Sequence, residues 1–187
     1  MGIFLVILLT IAFFIIGGII FAASRQPNEF RVSRSALLNA TPAAVFEHVN
    51  DLEKWQTWSP WAKMDPQAQT SFEGPKAGVG ARFSWNGKKI GKGTMTILES
   101  TPSSFVKFEL EFFKPLKGIN TTEFTFKPEG EGEEQHTYVT WKMYGPANII
   151  HKVMGLFMNC GKIVSDQFDS GLANLGTLLT PDYWEGA

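Results

Sequence analysis

Residues Asn148–Leu179, NIIHKVMGLFMNCGKIVSDQFDSGLANLGTLL, decide the fold. At helical spacing Ile150, Met154, Phe157, Val164, Phe168, Leu172, Leu175 and Leu179 form one apolar stripe, while Lys152, Lys162, Asp166, Asp169 and Asn174 fall mostly elsewhere. An amphipathic helix of this length needs a broad apolar surface to lie on. Gly155 and Gly161 stand close together in its first third, so a break is expected there, separating a short helix from a longer one that ends near Leu179.

Three upstream stretches supply the surface. In Phe105–Phe113, Val106, Phe108, Leu110 and Phe112 alternate with Lys107, Glu109 and Glu111. In Thr121–Lys127, Phe124 and Phe126 alternate with Glu123, Thr125 and Lys127, and in His136–Tyr144, Val139, Trp141 and Met143 alternate with Tyr138, Thr140 and Lys142. One apolar and one polar face per strand is the pattern of an antiparallel sheet covered on one side. Phe30–Leu38, Gln69–Phe72, Ala81–Trp85 and Gly91–Ser100 are further strand candidates. Asn86-Gly87 predicts a type I′ hairpin turn, because both residues accept positive φ. The acidic, glycine-rich run Glu129–Glu134 predicts the solvated turn before the last strand, and Gly145-Pro146 closes the sheet.

Two short helices are expected after the first strand. Thr41 caps one with Pro42 at its first position, and it runs to about Val49. Asn50 or Asp51 caps the next, Glu53 stands three residues after Asn50 as in a capping box, and Pro60 stops that helix by about Ser59. The whole order reads as α+β: a curved antiparallel sheet of about six to seven strands with the long C-terminal helix across it.

Several stretches resemble the START/Bet v 1-like (SRPBCC) superfamily, which contains the polyketide cyclase/dehydrase and lipid-transport proteins. They are Leu38-Asn39-Ala40-Thr41-Pro42-Ala43-Ala44-Val45-Phe46, Asp51-Leu52-Glu53-Lys54-Trp55 and Trp58-Ser59-Pro60-Trp61 at the start of the domain. Gly80-Ala81-Arg82-Phe83-Ser84-Trp85-Asn86-Gly87 with Gly91-Lys92-Gly93 looks like the central hairpin, and Phe168-Asp169-Ser170-Gly171-Leu172-Ala173-Asn174-Leu175 like the last helix. The resemblance implies a helix-grip fold, a sheet wrapped round the C-terminal helix and enclosing an apolar cavity. Its members include lipid carriers, hormone receptors, cyclases and oxygenase subunits, so it leaves function open.

Ile3–Ala23 is apolar apart from Thr10 and carries no charge; as a helix it would cover about 30 Å, the thickness of a bilayer core. A cleaved signal peptide is the rival reading, since Ala22-Ala23-Ser24 resembles a cleavage site. The absence of a basic region before the run, and a length beyond the usual ~7–15-residue apolar core of such peptides, favour a single-pass anchor through residues 3–23. Arg25, Arg31 and Arg34 follow the span and no Lys or Arg precedes it, which places the C-terminal domain in the cytoplasm by the positive-inside rule. The expected organisation is an anchor at 1–24, a linker at 25–29, a domain at 30–180 and a tail at 181–187.

A formal net charge of -1 without basic clustering argues against nucleic-acid binding. Cys160 is the only cysteine, so no internal disulfide and no multi-cysteine zinc site can form. His48, His136 and His151 lack paired ligand spacing, and no metal or cofactor is expected. Cys160 and His151 are too far apart on a straight helix to act together, and Glu47, Asp51, Glu111, Asp166 and Asp169 are not paired by the sequence. No catalytic residue is therefore named. Gly74, Gly78, Gly80, Gly91 and Gly93 lack the context of a phosphate loop and read as turns or sheet bends.

Aromatic residues make up 13% of the chain, enough ring area for a thick core or an apolar cavity. Candidate ligand contacts are Trp58 and Trp61, which either line the cavity mouth or anchor the small helices; Phe83 and Trp85 of the hairpin; and the inward faces Phe108, Leu110, Phe112, Phe124, Phe126, Trp141 and Met143. Met154, Phe157, Phe168 and Leu172 of the C-terminal helix stand opposite, with core burial expected for all of them. The expected partner is a hydrophobic small molecule such as a lipid, quinone or polyketide-like compound. A cyclase/dehydrase-type enzyme, with Arg82 and the aspartates of the last helix as its first candidates, and a protein-interaction groove are the alternatives. Oligomeric state stays open.

Overall fold

The computed structural model describes residues 2–130 and 135–180. Helix α1 (Gly2–Ser24) leads through a short linker into strand β1 (Glu29–Leu38). Three short helices follow, α2 (Pro42–Asn50), α3 (Leu52–Trp58) and α4 (Pro60–Met64). Six strands come next: β2 (Gln69–Glu73), β3 (Arg82–Asn86), β4 (Lys92–Thr101), β5 (Phe105–Lys114), β6 (Gly118–Glu129) and β7 (His136–Pro146). The described residues close with α5 (Ile149–Phe157) and α6 (Cys160–Leu179).

All seven strands form one antiparallel sheet in the order β1-β7-β6-β5-β4-β3-β2. The first strand thus pairs with the last, Glu29 opposite Pro146 and Leu38 opposite Thr137. Register shifts between β4 and β5, at Lys92/Gly93 and Ile97/Glu99, add local twist where the sheet bends. The expected α+β helix-grip architecture is present. Helix α6 lies in the concave face, burying Phe168, Gly171, Leu172 and Leu175 at helical spacing and packing against β1.

The helix starts follow their capping residues. Thr41 Oγ1 accepts from Ala44 N at 3.3 Å, with Pro42 at the first position of α2. Asp51 caps α3, its Oδ1 accepting from Glu53 N at 2.9 Å and Lys54 N at 3.2 Å. Asn50 is engaged elsewhere, accepting from Ser100 Oγ at 2.7 Å. Pro60 stops α3 as expected and also opens the five-residue α4, a third short helix beyond the two expected.

Four expectations need correction or fall outside the described residues. Asn86-Gly87 does not form a type I′ turn: Asn86 pairs with Lys92, and Gly87–Gly91 form a five-residue loop. The positive φ, 70°, belongs to Gly91, where a Cβ would stand 2.2 Å from the Lys114 carbonyl oxygen. The loop is held open because Asp65 Oδ2 accepts from Lys89 N at 2.8 Å, tying it to the end of α4. The expected turn over Glu129–Glu134 lies partly outside the described residues, and the 181–187 tail wholly so. The expected break in the C-terminal helix is present between Phe157 and Cys160, but it has a consequence for Met154 and Phe157. Both were placed in the core, and Phe157 is 71% exposed on α5, which packs on α1 rather than across the sheet.

Helix α1 is long and apolar enough to cross a membrane. A signal sequence would meet the same measure.

Candidate ligand-binding site

The concave face has two halves. In one, α3 presents Trp55 and Trp58 a helical turn apart with ring centroids separated by 4.4 Å. Trp55 meets Phe108 and Phe124 at 5.5 Å and Trp141 at 5.4 Å. Trp58 is fully buried; its Nε1 donates to the His48 carbonyl at 3.0 Å, and its own carbonyl accepts from Asn174 Nδ2 at 3.0 Å. That pair of bonds ties α2, α3 and α6 into one block over the sheet. Phe46 closes the far edge against Phe126 at 6.1 Å.

In the other half Pro60 breaks the helix, and Trp61 after it stands at the edge of the sheet rather than over its centre. Here a cavity of about 390 Å³ is left between α4, the first half of α6 and the concave faces of β3, β5 and β7. Trp61, Phe83, Trp85, Leu110, Phe112, Trp141, Met143 and Phe168 line it. Trp141 and Phe168 stack at 3.9 Å with their planes 8° apart, and Trp61 meets both rings edge-on at 5.8 and 6.2 Å. Gly171 makes room for that stack, since a Cβ there would lie 2.8 Å from Trp141 Cζ3. Gly93 does the same for Trp85, whose Cζ2 would stand 2.4 Å from an added Cβ and whose Nε1 donates to the Ile90 carbonyl at 3.3 Å.

The cavity lies at one end of the sheet. Ile90 from the β3–β4 loop, Phe112 near the end of β5, Met143 near the end of β7 and Val164 in the first turns of α6 surround it. This is the end at which β1 begins, because Glu29 pairs with Pro146 and Val32 with Met143. The chain therefore leaves α1 beside the open half of the domain.

Polar groups are sparse in the lining. Gln56, Ser59, Asp65, Thr70 and Thr122 are present, and Asp65, the one carboxylate, already accepts from Lys89 N. Thr122 Oγ1 and Trp141 Nε1 are buried beside the cavity without a hydrogen-bond partner. The residues named first for acid–base work stand elsewhere. Arg82 lines a separate, smaller cleft with Glu53, Glu73 and Lys76, and Asp166 and Asp169 are exposed in ion pairs with Lys162 at 2.6 Å and Arg34 at 2.9 Å. Among the described residues two groups have shifted pKa values, both away from the cavity. The Lys54 ammonium hydrogen-bonded to Glu47 holds that carboxyl below its usual range, and the Tyr144 hydroxyl is pushed up by donating to Glu123 at 2.7 Å. Among the described residues no cluster of His, Cys, Asp and Glu could hold a metal ion.

Eight of the fifteen residues singled out in the sequence thus meet at one cavity. Trp58, Phe108, Phe124, Phe126 and Leu172 belong to the filled half, and Met154 and Phe157 lie on α5. The lining also includes Trp55, Met95, Val164 and Thr122, which were not named as contacts. Thr122 shares the inward parity of Phe124 and Phe126, so alternation alone would have found it; a search for apolar residues passes it over.

A family model described as polyketide cyclase / dehydrase and lipid transport matches residues 29–180. Among solved structures the fold recurs in a protein of Chromobacterium violaceum, with a TM-score of 0.56 and 20% identity over 83% of this chain and all of that one. It recurs in a protein of Mesorhizobium loti, with a TM-score of 0.58 and 13% identity over 80% of this chain and 96% of the other. The major latex-like protein 151 of Panax ginseng gives a TM-score of 0.56 and 14% identity over 83% of this chain and all of its own. At these identities the likeness is one of fold. No curated protein sequence matches the chain.

Proposed function

The chain belongs to the polyketide cyclase / dehydrase and lipid transport family, and we propose that it is a membrane-anchored protein that binds one apolar small molecule. The observation that carries this reading is the cavity of about 390 Å³, walled by aromatic and aliphatic side chains at the end of the sheet where α1 enters. Its lining suits a lipid tail, quinone or polyketide-like ring system better than a polar metabolite. On this reading α1 is a retained anchor, and Arg25, Arg31 and Arg34 beyond it put the domain on the cytoplasmic side. The cavity would then exchange its ligand with the bilayer directly.

The test is to extract the full chain from membranes in mild detergent and analyse it by native mass spectrometry. A stoichiometric apolar adduct is expected, displaced when Phe112→Asp puts a charge into the wall. Intact protein with no adduct, and no uptake of quinone or fatty acid from vesicles, would sink the proposal. The enzymatic alternative has Asp65 as the carboxylate at the cavity, and that group is committed to the Lys89 N–H. A turnover assay on any ligand recovered would decide between the two.

A further inference from the structure

Helix α5 inverts the pattern of a helix in water. Ile149 and Ile150 recur one heptad later as Leu156 and Phe157, so the four share a face, and all four are exposed, from 38% at Leu156 to 71% at Phe157. Its only lysine, Lys152, stands at the flank of that face and is buried, with Nζ donating to Asn28 Oδ1 at 2.5 Å. Met158 and Ile163, about half exposed, carry the outward apolar surface across the break and into the first turn of α6.

The inner side of α5 packs on the last turns of α1. Ala23 of α1 is fully buried and Ile19, one turn earlier, is partly covered. Gly155 faces the Gln26 side chain of the linker. The height of α5 along α1 is therefore set by packing, within the last two turns of a helix long enough to cross the hydrocarbon core. Cations flank that level: Arg25 lies over the Phe21 ring at 5.0 Å, and Lys162 is 66% exposed.

We propose that α5 is an interfacial helix. Its outward face lies in the bilayer that α1 crosses, about 5–10 Å deep at the boundary of headgroups and acyl chains. This rests on the reading of α1 as a membrane span, and the outward continuity of the two apolar surfaces is what selects lipid as the occupant. Helix α6, which follows α5 directly, carries Val164 of the cavity wall in its second turn, so seating α5 in lipid holds the open half of the domain against the bilayer.

The test uses the full chain in vesicles of phosphatidylcholine and phosphatidylglycerol, with Cys160→Ser to remove the native thiol. Single labelling sites are made by Phe157→Cys and Ile150→Cys on α5, Phe14→Cys within α1 and Lys127→Cys on the exposed end of β6. An environment-sensitive fluorophore at each site is quenched with nitroxide lipids or with aqueous iodide. Labels on α5 should be quenched by the lipids and lose the iodide quenching seen at Lys127→Cys. If they are quenched by iodide like Lys127→Cys while the Phe14→Cys label sits in lipid, the interfacial helix is disproved and the anchor stands. Labels on α5 shielded from both quenchers would mean a protein surface covers the face, which also overturns the proposal. A Phe14→Cys label open to iodide removes the premise itself and identifies the anchor as the part that failed.

Discussion

The two halves of the concave face start from the same material and end differently. On β5 and β6 the inward residues Phe108, Phe124 and Phe126 are buried and closed over by Trp55, Trp58 and Phe46. Two to four residues further along, Leu110 and Phe112 of β5 and Met143 of the adjacent β7 face open space. The difference comes from the cover, not from the sheet. Helix α3 delivers two tryptophans to one half, while Pro60 ends it before a third can reach the other, and Trp61 sits at the wall instead. A ligand cavity in this fold is thus the place where the covering helices stop, and its depth is set by one proline and its neighbours.

The comparison is broken most severely by emptying the filled half. Trp58→Ala removes a fully buried ring and leaves the His48 carbonyl without its donor, so a loss of about 3–5 kcal/mol is expected in denaturant unfolding followed by tryptophan fluorescence. If Trp58→Ala cost no more than a wall residue such as Phe112→Ala, the two halves would not differ as described. Gly171→Ala attacks the boundary between them. The added methyl would meet Trp141 Cζ3 at 2.8 Å and Pro60 Cδ at 3.3 Å, so a smaller loss, about 1–3 kcal/mol, is expected, together with weaker ligand binding as the Trp141–Phe168 stack shifts.

Filling the hollow half should sharpen the contrast. Leu110→Phe adds volume where space exists, so stability should change by less than about 1.5 kcal/mol while binding of an apolar probe is lost. The same enlargement at Ile97, which is 1% exposed, should cost stability by overpacking. Equal costs at the two positions would show that Leu110 faces no usable space.

Much of this fold is legible in the residues, and the boundary of what is legible has a physical origin. Strict alternation in β5, β6 and β7 identified the inward side chains, because strand periodicity leaves only two faces to choose between. It could not tell filled from hollow, since Phe108 and Phe112 carry the same parity and the same ring; the distinction lies in where α3 ends. The turn at Asn86-Gly87 was misread because a local preference lost to a distant contact, the Asp65 carboxylate on Lys89 N. Met154 and Phe157 were misassigned for another reason. A helical stripe extrapolates only while the helix is continuous, and the break at Met158-Asn159 resets its phase, leaving α5 free to turn its apolar face outward.

The smallest expected effect tests whether the hollow half is isolated from the opposite face of the sheet. Tyr144 of β7 and Glu123 of β6 point away from the cavity, and the Tyr144 hydroxyl donates to the Glu123 carboxylate. That bond exists only while Tyr144 is protonated, and it raises the folded-state pKa above the usual value near 10. The unfolded chain releases the proton first as pH rises, so the contribution is fully present below pH 10 and is lost as pH climbs through the folded-state pKa. Glu123→Gln should bring the Tyr144 titration, followed by its ultraviolet absorbance, back down, and should remove that part of the alkaline loss of stability. Leu110→Phe should leave the same titration unmoved, because Leu110 lies on the concave side and Tyr144 on the convex one. A shift on filling the cavity would show that occupancy of the hollow half is transmitted through β6 and β7 to the outer surface, and the two faces would then have to be treated as one coupled unit.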